Sequence, residues 1–369
     1  MCRILRGKIE LCAPAAKGAV SMGVTMKEIA YMCGVSRGTV DRVLNNRGRV
    51  RPETEEHIRS VARSMGYRGV QSKAVEPYSG KAMKIGLLVN SMDQPYFGQI
   101  LESMTRSIEE LEPYKITSVI KYSGGFDVDQ QLSLLDELLA QEVDALAMTS
   151  ANSPRIAQKL KEFSARGIPV VLISSLLDDY EPFAFVGCNH VQSGRLAAGF
   201  ARQITPPGSK IAVISGTLKM TGLKLRCDGF IDALRRGGRV DEVLEPLHCQ
   251  DDDVIAFKMV SGLVSRHPDI DLMFLAAGGY KGVYEALTDA GLLGKVKIIA
   301  FDMLDINKQY LKSGAVCALI DQHPSEQGRM AIRILSDYLL RRSMPENKKC
   351  YLPVEIVLAE SLEEKAPET

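Results

Sequence analysis

The side chains able to hold or transform a small molecule fall, in this sequence, at the ends of short apolar runs. Gln94, Tyr96 and Phe97 follow KIGLLV, Ser150 and Asn152 close ALAMTS, and Ser174 and Ser175 close PVVLIS. Arg226 lies beyond KIAVISG, Asp302 ends KIIAFD, and Gln322 ends ALIDQ. If those runs are parallel strands, the residues converge, because ligands of open parallel sheets sit beyond the carboxyl ends of the strands. The set holds hydrogen-bonding groups and aromatic rings, but no catalytic constellation. Histidines 57, 190, 248, 267 and 323 have no evident nucleophile or metal partner, and G-x-G-x-x-G, P-loop and G-x-S-x-G motifs are missing. His190 and His323 lie near the edges of the expected cleft. Binding rather than turnover is the expectation, with no cofactor and no metal.

A second chemistry is written near the start, in TMKEIAYMCGVSRGTVDRVLN at residues 25 to 45. Thr25 and Glu28 have capping-box spacing, so a helix begins there. Met26, Ile29, Ala30 and Cys33 share one side of it, and Gly34 supplies the left-handed residue that ends it. Ser36 caps a second helix with Val40, Val43 and Leu44 inward. A third starts at Pro52, buries Ile58, Val61, Ala62 and Met65, and stops at Gly66. None of the three can shield much apolar surface alone, so they fold as one bundle of helix-turn-helix type.

Beyond residue 83 the pattern changes to strands alternating with helices. The apolar runs are KIGLLV, YKITSVI, ALAMTS, PVVLIS, FAFVGC, KIAVISG, LMFLAAG, KIIAFD and ALIDQ, and segments of helical period separate most of them. The fold class is therefore α/β: a three-helix headpiece, then a core of two doubly wound parallel sheets. The segment QSKAVEPYSGKA loses the apolar period and reads as a linker.

Composition agrees. The chain has 369 residues, 46% of them apolar, enough for two to three folding units at about 150 residues each. The near-zero net charge conceals a gradient, since residues 1 to 81 hold 15 Lys and Arg against 7 Asp and Glu, and the remainder holds 31 against 38. A basic head on an acidic body points the head alone at a polyanion. Eight scattered cysteines without C-x-x-C or metal-ligand spacing suit reduced thiols in the cytoplasm. No apolar run reaches the ~18 to 20 residues of a membrane span, and residues 1 to 20 make a poor signal peptide.

The head resembles the DNA-binding headpiece of the LacI/GalR (lac repressor) family: T-x-K-[ED]-[IV]-A, G-V-S, T-V, R-V-L-N and G-Y occur in order at that family's spacings. The body is similar to the type I periplasmic sugar-binding proteins, on the strength of QPYF, LRCDGF, AFD and IDQ. The resemblance implies double-stranded operator DNA, a carbohydrate-like small-molecule effector and a homodimer as partners, with no membrane. It implies that Thr25, Ser36, Arg37, Gly38, Thr39, Arg42, Asn45 and Tyr67 meet DNA, with the second helix in the major groove and Arg37 gripping guanine. Gly38 and Asp41 depart from the family; Asp41, four residues after Arg37, is placed to brace it. The linker departs too, offering only Val75 as a minor-groove wedge.

For the effector, the resemblance implies Gln94, Tyr96, Phe97, Asn152, Ser174, Ser175, Arg226, Asp302 and Gln322. Ser174-Ser175 replaces the family's Asp-Arg pair, and Ala277-Gly278 replaces its Asn-Asp, so two strong polar grips on a sugar are missing. Three structural alternatives stay open: Arg226 paired with Asp228 or Asp302, Asp302 capping the helix after it, and Tyr96 and Phe97 as plain core. The expected organisation is an extension without fixed structure (1–23), headpiece (24–70), hinge linker (71–82), effector core (83–358) and tail (359–369). Within the core, one subdomain takes 83–188 and 323–345, the other 189–322 and 350–358. A solute receptor and a carbohydrate-acting enzyme are the alternatives on the same fold; the receptor would need an export signal and no head.

Overall fold

The computed structural model describes residues 25–44, 50–64, 80–90, 94–236 and 241–362. The expectations for residues 1–23, Asn45, Met65, Gly66, Tyr67, the linker from 71 to 79, Val75 among them, and the tail from 363, together with the side chain of Glu28, lie outside the described residues. The chain divides between Tyr78 and Ser79 into a head and a body.

In the head, α1 (Met26–Met32), α2 (Arg37–Leu44) and α3 (Pro52–Ser64) surround one small cluster. Ile29, Val40 and Ile58 are fully buried at its centre, joined by Met26, Ala30, Val43 and Ala62. Gly34 closes α1 at φ +64°, a conformation that costs a side-chain-bearing residue energy and costs glycine none. Ser36 then starts α2: its Oγ accepts from the Thr39 amide at 3.1 Å. Arg59 of α3 donates to the Val43 carbonyl at 2.8 Å while pairing with Glu55, so α3 satisfies an orphan carbonyl at the far end of α2.

The body has two lobes. The first contains β1 (Met83–Asn90), α4 (Pro95–Glu109), β2 (Ile116–Ser123), α5 (Val128–Ala140), β3 (Ala145–Met148), α6 (Pro154–Ala165), β4 (Val170–Ile173) and β5 (Ala184–Cys188). The chain crosses to the second through α7 (His190–Ile204), β6 (Lys210–Ser215), α8 (Thr221–Arg236), β7 (Glu242–Val243), β8 (Leu247–His248) and α9 (Asp253–Arg266). There follow β9 (Leu272–Leu275), α10 (Tyr280–Asp289), β10 (Lys297–Phe301), α11 (Asp305–Lys312) and β11 (Ala318–Asp321). The chain then returns as α12 (Pro324–Arg341), which packs on α4, β3, β4 and β5, and ends in β12 (Lys349–Leu352) and β13 (Glu355–Val357).

The first sheet runs β12-β5-β4-β3-β1-β2, parallel throughout. The second runs β13-β11-β10-β9-β6-β7, with β8 also on β6 and only β13 antiparallel. Near-continuous apolar strands such as VVLI and LMFL suit sheets covered by helices on both faces, and all four residues of each are buried.

Two differences from the sequence expectation have simple causes. Residues 350–358 do not all join the second lobe: Cys350–Leu352 pair with Val186–Cys188 of the first sheet, and only Glu355–Val357 cross over. Pro353 separates the two stretches and cannot donate to either ladder, so the chain changes sheets there. The run at 114–120 begins late, because Tyr114 closes a single 3-10 turn and Lys115 turns left-handed at φ 55°. The lobes are thus joined by three adjacent crossings, after β5, after β11 and after β12.

Candidate functional site

The outward side of α2 is the head's polar face. Val40 and Val43 turn inward, whereas Arg37, Gly38 and Arg42 are exposed and Thr39 is half-buried. Arg37 makes no ion pair with a described residue, so the expected brace from Asp41 is not formed. Arg42 is steadied through Nε, which donates to the Gly38 carbonyl at 3.2 Å. Ser36 and Thr39 hydroxyls lie 2.9 Å apart, committed to the helix start. Thr25 is exposed before α1, its carbonyl accepting from the Ile29 amide at 3.2 Å.

In the body a narrow cleft opens between the lobes at the carboxyl ends of the strands. Gln94, Tyr96, Phe97 and Ser174 line it from the first lobe; Arg226, Asp302 and Gln322 line it from the second and from the crossing after β11. Its free interior admits a water-sized sphere over about 50 Å³, room for a few waters and too little for a sugar ring without opening.

The position of Arg226 follows from glycines. A Cβ on Gly194 would sit 2.0 Å from the Arg226 carbonyl, and one on Gly229 would sit 2.4 Å from the Val191 carbonyl. Only side-chain-free residues let α7 and α8 touch backbone to backbone, which sets the α8 face against the cleft. Arg226 is 2% exposed, with its guanidinium 3.6 Å above the Phe301 ring. Nη1 donates to the Ala276 carbonyl at 2.6 Å and Nη2 to Gln322 Oε1 at 2.8 Å. Gln322 Nε2 donates to Asp302 Oδ1 at 2.6 Å, and the Tyr280 hydroxyl donates to Asp302 Oδ2 at 3.3 Å.

His190 extends the chain toward the first lobe. Its Nδ1 lies 3.4 Å from Arg226 Nη2, a donor, so Nδ1 accepts and Nε2–H donates to the Ser174 carbonyl at 2.6 Å. Tyr96 donates its hydroxyl to Ser174 Oγ at 3.1 Å. Burial first, then the Arg226 charge, hold His190 neutral, its pKa depressed to about 3. Burial pushes Asp302 up to about 6, with Arg226 and the Gln322 bond opposing. Tyr96 and Tyr280 are raised by burial above the ordinary phenol range.

The open alternatives are now decided by geometry: Tyr96 and Phe97, though buried, line the cleft. Asp228 pairs with Lys224 at 2.8 Å, and Arg226 makes no ion pair with a described residue, its hydrogen-bond partners being neutral. Asp302 lies two residues before Leu304, the residue at the cap of α11, and does not cap it.

Three expected residues do not line the cleft, the first being Ser150, whose hydroxyl donates to the Ala151 carbonyl at 2.9 Å. Asn152 donates to Asp178 Oδ2 and Thr221 Oγ1, both at 2.7 Å, and its amide donates to the Lys219 carbonyl at 2.8 Å. Ser175 Oγ accepts from the Gly222 amide at 3.3 Å. Both tie β6–α8 of the second lobe to the first, a positional role that strand-end logic cannot separate from lining.

Sequence reasoning missed Asp251, Tyr280, Met220, Leu223 and Leu304, and saw His190 only as a neighbour of the cleft. Gln250 and Asp251 are both left-handed, at φ 56° and 62°. That turn sends the Asp251 carboxylate to the amides of Gly278 and Thr217, at 2.9 and 3.1 Å. Its carbonyl accepts from Gln94 Nε2 at 2.9 Å, a further tie between lobes. The signal was available in Ala277-Gly278: a Cβ at 278 would meet Asp251 at 3.1 Å, so the absent side chain leaves room for a carboxylate from elsewhere.

Comparison with known proteins gives two family matches. Residues 25–69 match the model of bacterial regulatory proteins, lacI family, and residues 85–342 match that of the periplasmic binding protein domain. Two relatives cover different shares of the chain. A D-ribose/D-allose-binding protein of Pseudomonas aeruginosa is 27% identical over 63% of this chain and 75% of its own length. A ribose operon repressor of Halalkalibacterium halodurans is 23% identical over 91% of this chain and 96% of its own. Among solved structures, a glucose-galactose binding protein of Geobacillus stearothermophilus aligns with a TM-score of 0.70 at 21% identity, over 77% of this chain and 99% of that one, a likeness of fold.

Proposed function

Since the chain carries a lacI-family regulatory head and belongs, through its body, to the periplasmic binding protein domain family, we propose that it is a transcriptional repressor whose hold on operator DNA is set by a small carbohydrate-like molecule in the cleft. One observation carries this reading: head and body occur in a single chain, and the match to a ribose operon repressor runs through both. A solute receptor would use the same cleft but has no use for a helix-turn-helix. Acting on DNA, the protein works in the cytoplasm; among its described residues no helix is long and apolar enough to cross a membrane.

On this reading α2 enters the major groove. Arg37, exposed and without an ion pair to a described residue, takes the two acceptors of a guanine, while Thr39 and Arg42 fix the register on the backbone. Thr25, Ser36 and Gly38 bring the backbone close to phosphate, with Asn45 and Tyr67 assigned the same task. A homodimer places two heads on half-sites about one helical turn apart.

In the body, Gln94, Tyr96, Phe97, Ser174, Arg226, Asp302 and Gln322 receive the effector, and Asn152 and Ser175 hold the closed form. The effector acts by binding open and closed lobes with different affinity, which shifts their populations. The test is a gel shift with the DNA upstream of the protein's own gene, with and without sugars. Retention of that fragment over a scrambled one, altered by a sugar, is the expected result. Equal weak binding to every duplex at low salt would sink the proposal.

A further inference from the structure

The cleft has two unlike edges. One is a single chain of hydrogen bonds running Ser174, His190, Arg226, Gln322, Asp302, Tyr280. The other is hydrocarbon: Met220 stands just before α8 and Leu223 lies in its first turn, Leu304 stands before α11, and Ala277 follows β9. Leu223 precedes Arg226 by three residues, so the boundary between the edges falls within one turn of α8.

The polar edge is largely spent on itself. Asp302 already accepts from Gln322 and Tyr280, one bond on each oxygen, which leaves about two of its roughly four lone-pair directions. Arg226 Nε is buried without a hydrogen-bond partner, and Gln322 has a second amide hydrogen beside the one given to Asp302. This spare capacity serves about two or three ligand hydroxyls, all on one side. A hydroxyl set against Met220, Leu223 or Leu304, away from the polar chain and from the Gln94 and Asp251 groups that also line the cleft, would be desolvated with nothing to bond, a loss of binding on the order of ten- to a hundredfold.

We infer that the cleft selects a deoxygenated polyol, such as a 6-deoxyhexose, whose hydroxyls face Arg226, Asp302 and Gln322 and whose methyl-bearing edge lies on Met220, Leu223 and Leu304. The inference rests on the carbohydrate-effector reading and adds its substrate class. Tyr280 sharpens the choice, because its hydroxyl holds one oxygen of Asp302 and narrows what a ligand can claim there.

Calorimetric titration of the full chain with matched pairs, D-galactose against 6-deoxy-D-galactose and L-mannose against 6-deoxy-L-mannose, tests it. The deoxy member of at least one pair binds about tenfold or more tightly than its parent. In Leu223→Gln and, separately, Leu304→Gln, each checked for unchanged operator binding, that margin shrinks to near parity. Parents binding as well as or better than their deoxy partners would overturn the inference and leave the carbohydrate reading standing. Silence from all four sugars would overturn both. A margin untouched by both substitutions would also overturn it, by removing the apolar edge as its cause.

Discussion

Arg37 and Arg226 are the same side chain put to opposite uses. Arg37 stands exposed on an eight-residue helix and makes no ion pair with a described residue. Arg226 is buried over an aromatic ring, with its hydrogen bonds going to a carbonyl, a carboxamide and an imidazole. An exposed guanidinium costs the fold nothing and stays available to a partner from outside. A buried one is part of the fold, and anything that enters beside it finds only the few donors and acceptors that the fold leaves over. The head therefore offers a preformed hand, whereas the body offers a lock whose parts hold one another.

The sharpest way to break this contrast is Arg226→Ala. Removing the guanidinium strips Gln322 and the Ala276 carbonyl of their donor and leaves a void under Phe301, so we expect the body to lose about 3 to 5 kcal/mol in thermal or denaturant unfolding. Operator binding by the head persists below the new melting temperature while the response to effector is lost. A normal response would move the effector elsewhere.

Protonation separates the two ends of the buried chain. His190, depressed to about 3, contributes stability above its unfolded value near 6.5 that is lost as pH falls toward 3. Asp302, raised to about 6, does the reverse: its contribution is full below pH 4 and is lost as pH rises to 6. Between pH 4 and 6 the two oppose, each at up to about 1.4 kcal/mol per pH unit. Urea midpoints should accordingly stay flat across that window in the intact protein, fall with rising pH in His190→Gln, and rise with pH in Asp302→Asn. Equal slopes in all three would show that the pair does not govern the cleft.

Arg37→Ala acts on the other hand of the comparison. Discrimination between operator and scrambled DNA should drop by about 1 to 3 kcal/mol, leaving salt-sensitive attachment and an unchanged melting temperature. Unaltered operator choice would assign Arg37 to phosphate. The smallest effect is Ser36→Ala, which removes the acceptor of the Thr39 amide and should cost the head about 1 kcal/mol in stability, with DNA binding weakened in proportion.

How far the sequence carried the reading also differs between the regions. In the head, periodicity and caps located α1, α2 and α3, because helix ends are set by neighbours three and four residues away. In the body, the run-and-helix alternation located nine of the thirteen described strands, but β7 and β8, at two residues each, and β12 and β13, at four and three, are too short to show a periodicity. Strand-end logic brought Gln94, Tyr96, Phe97, Ser174, Arg226, Asp302 and Gln322 to the cleft. Asn152 and Ser175 obey the same logic yet face the other lobe, since which partner a strand-end residue meets depends on how two lobes abut. Asp251 was missed for another reason: two successive left-handed residues that are not glycine carry no sequence signature of their own, and only the missing side chain at Gly278 pointed toward it. Tyr280 and Leu304 also pack into the second lobe's apolar cluster, so nothing in their residue types sets them apart from core.

Three chain crossings run side by side between the lobes. A single tether would let one lobe swivel about it, and two would permit a twist. Three abreast resist both and yield mainly to bending about one line, so the state of the cleft is reduced to one angle. A molecule with a single mechanical coordinate can report only more or less of one thing, which is all that a switch for a gene has to say.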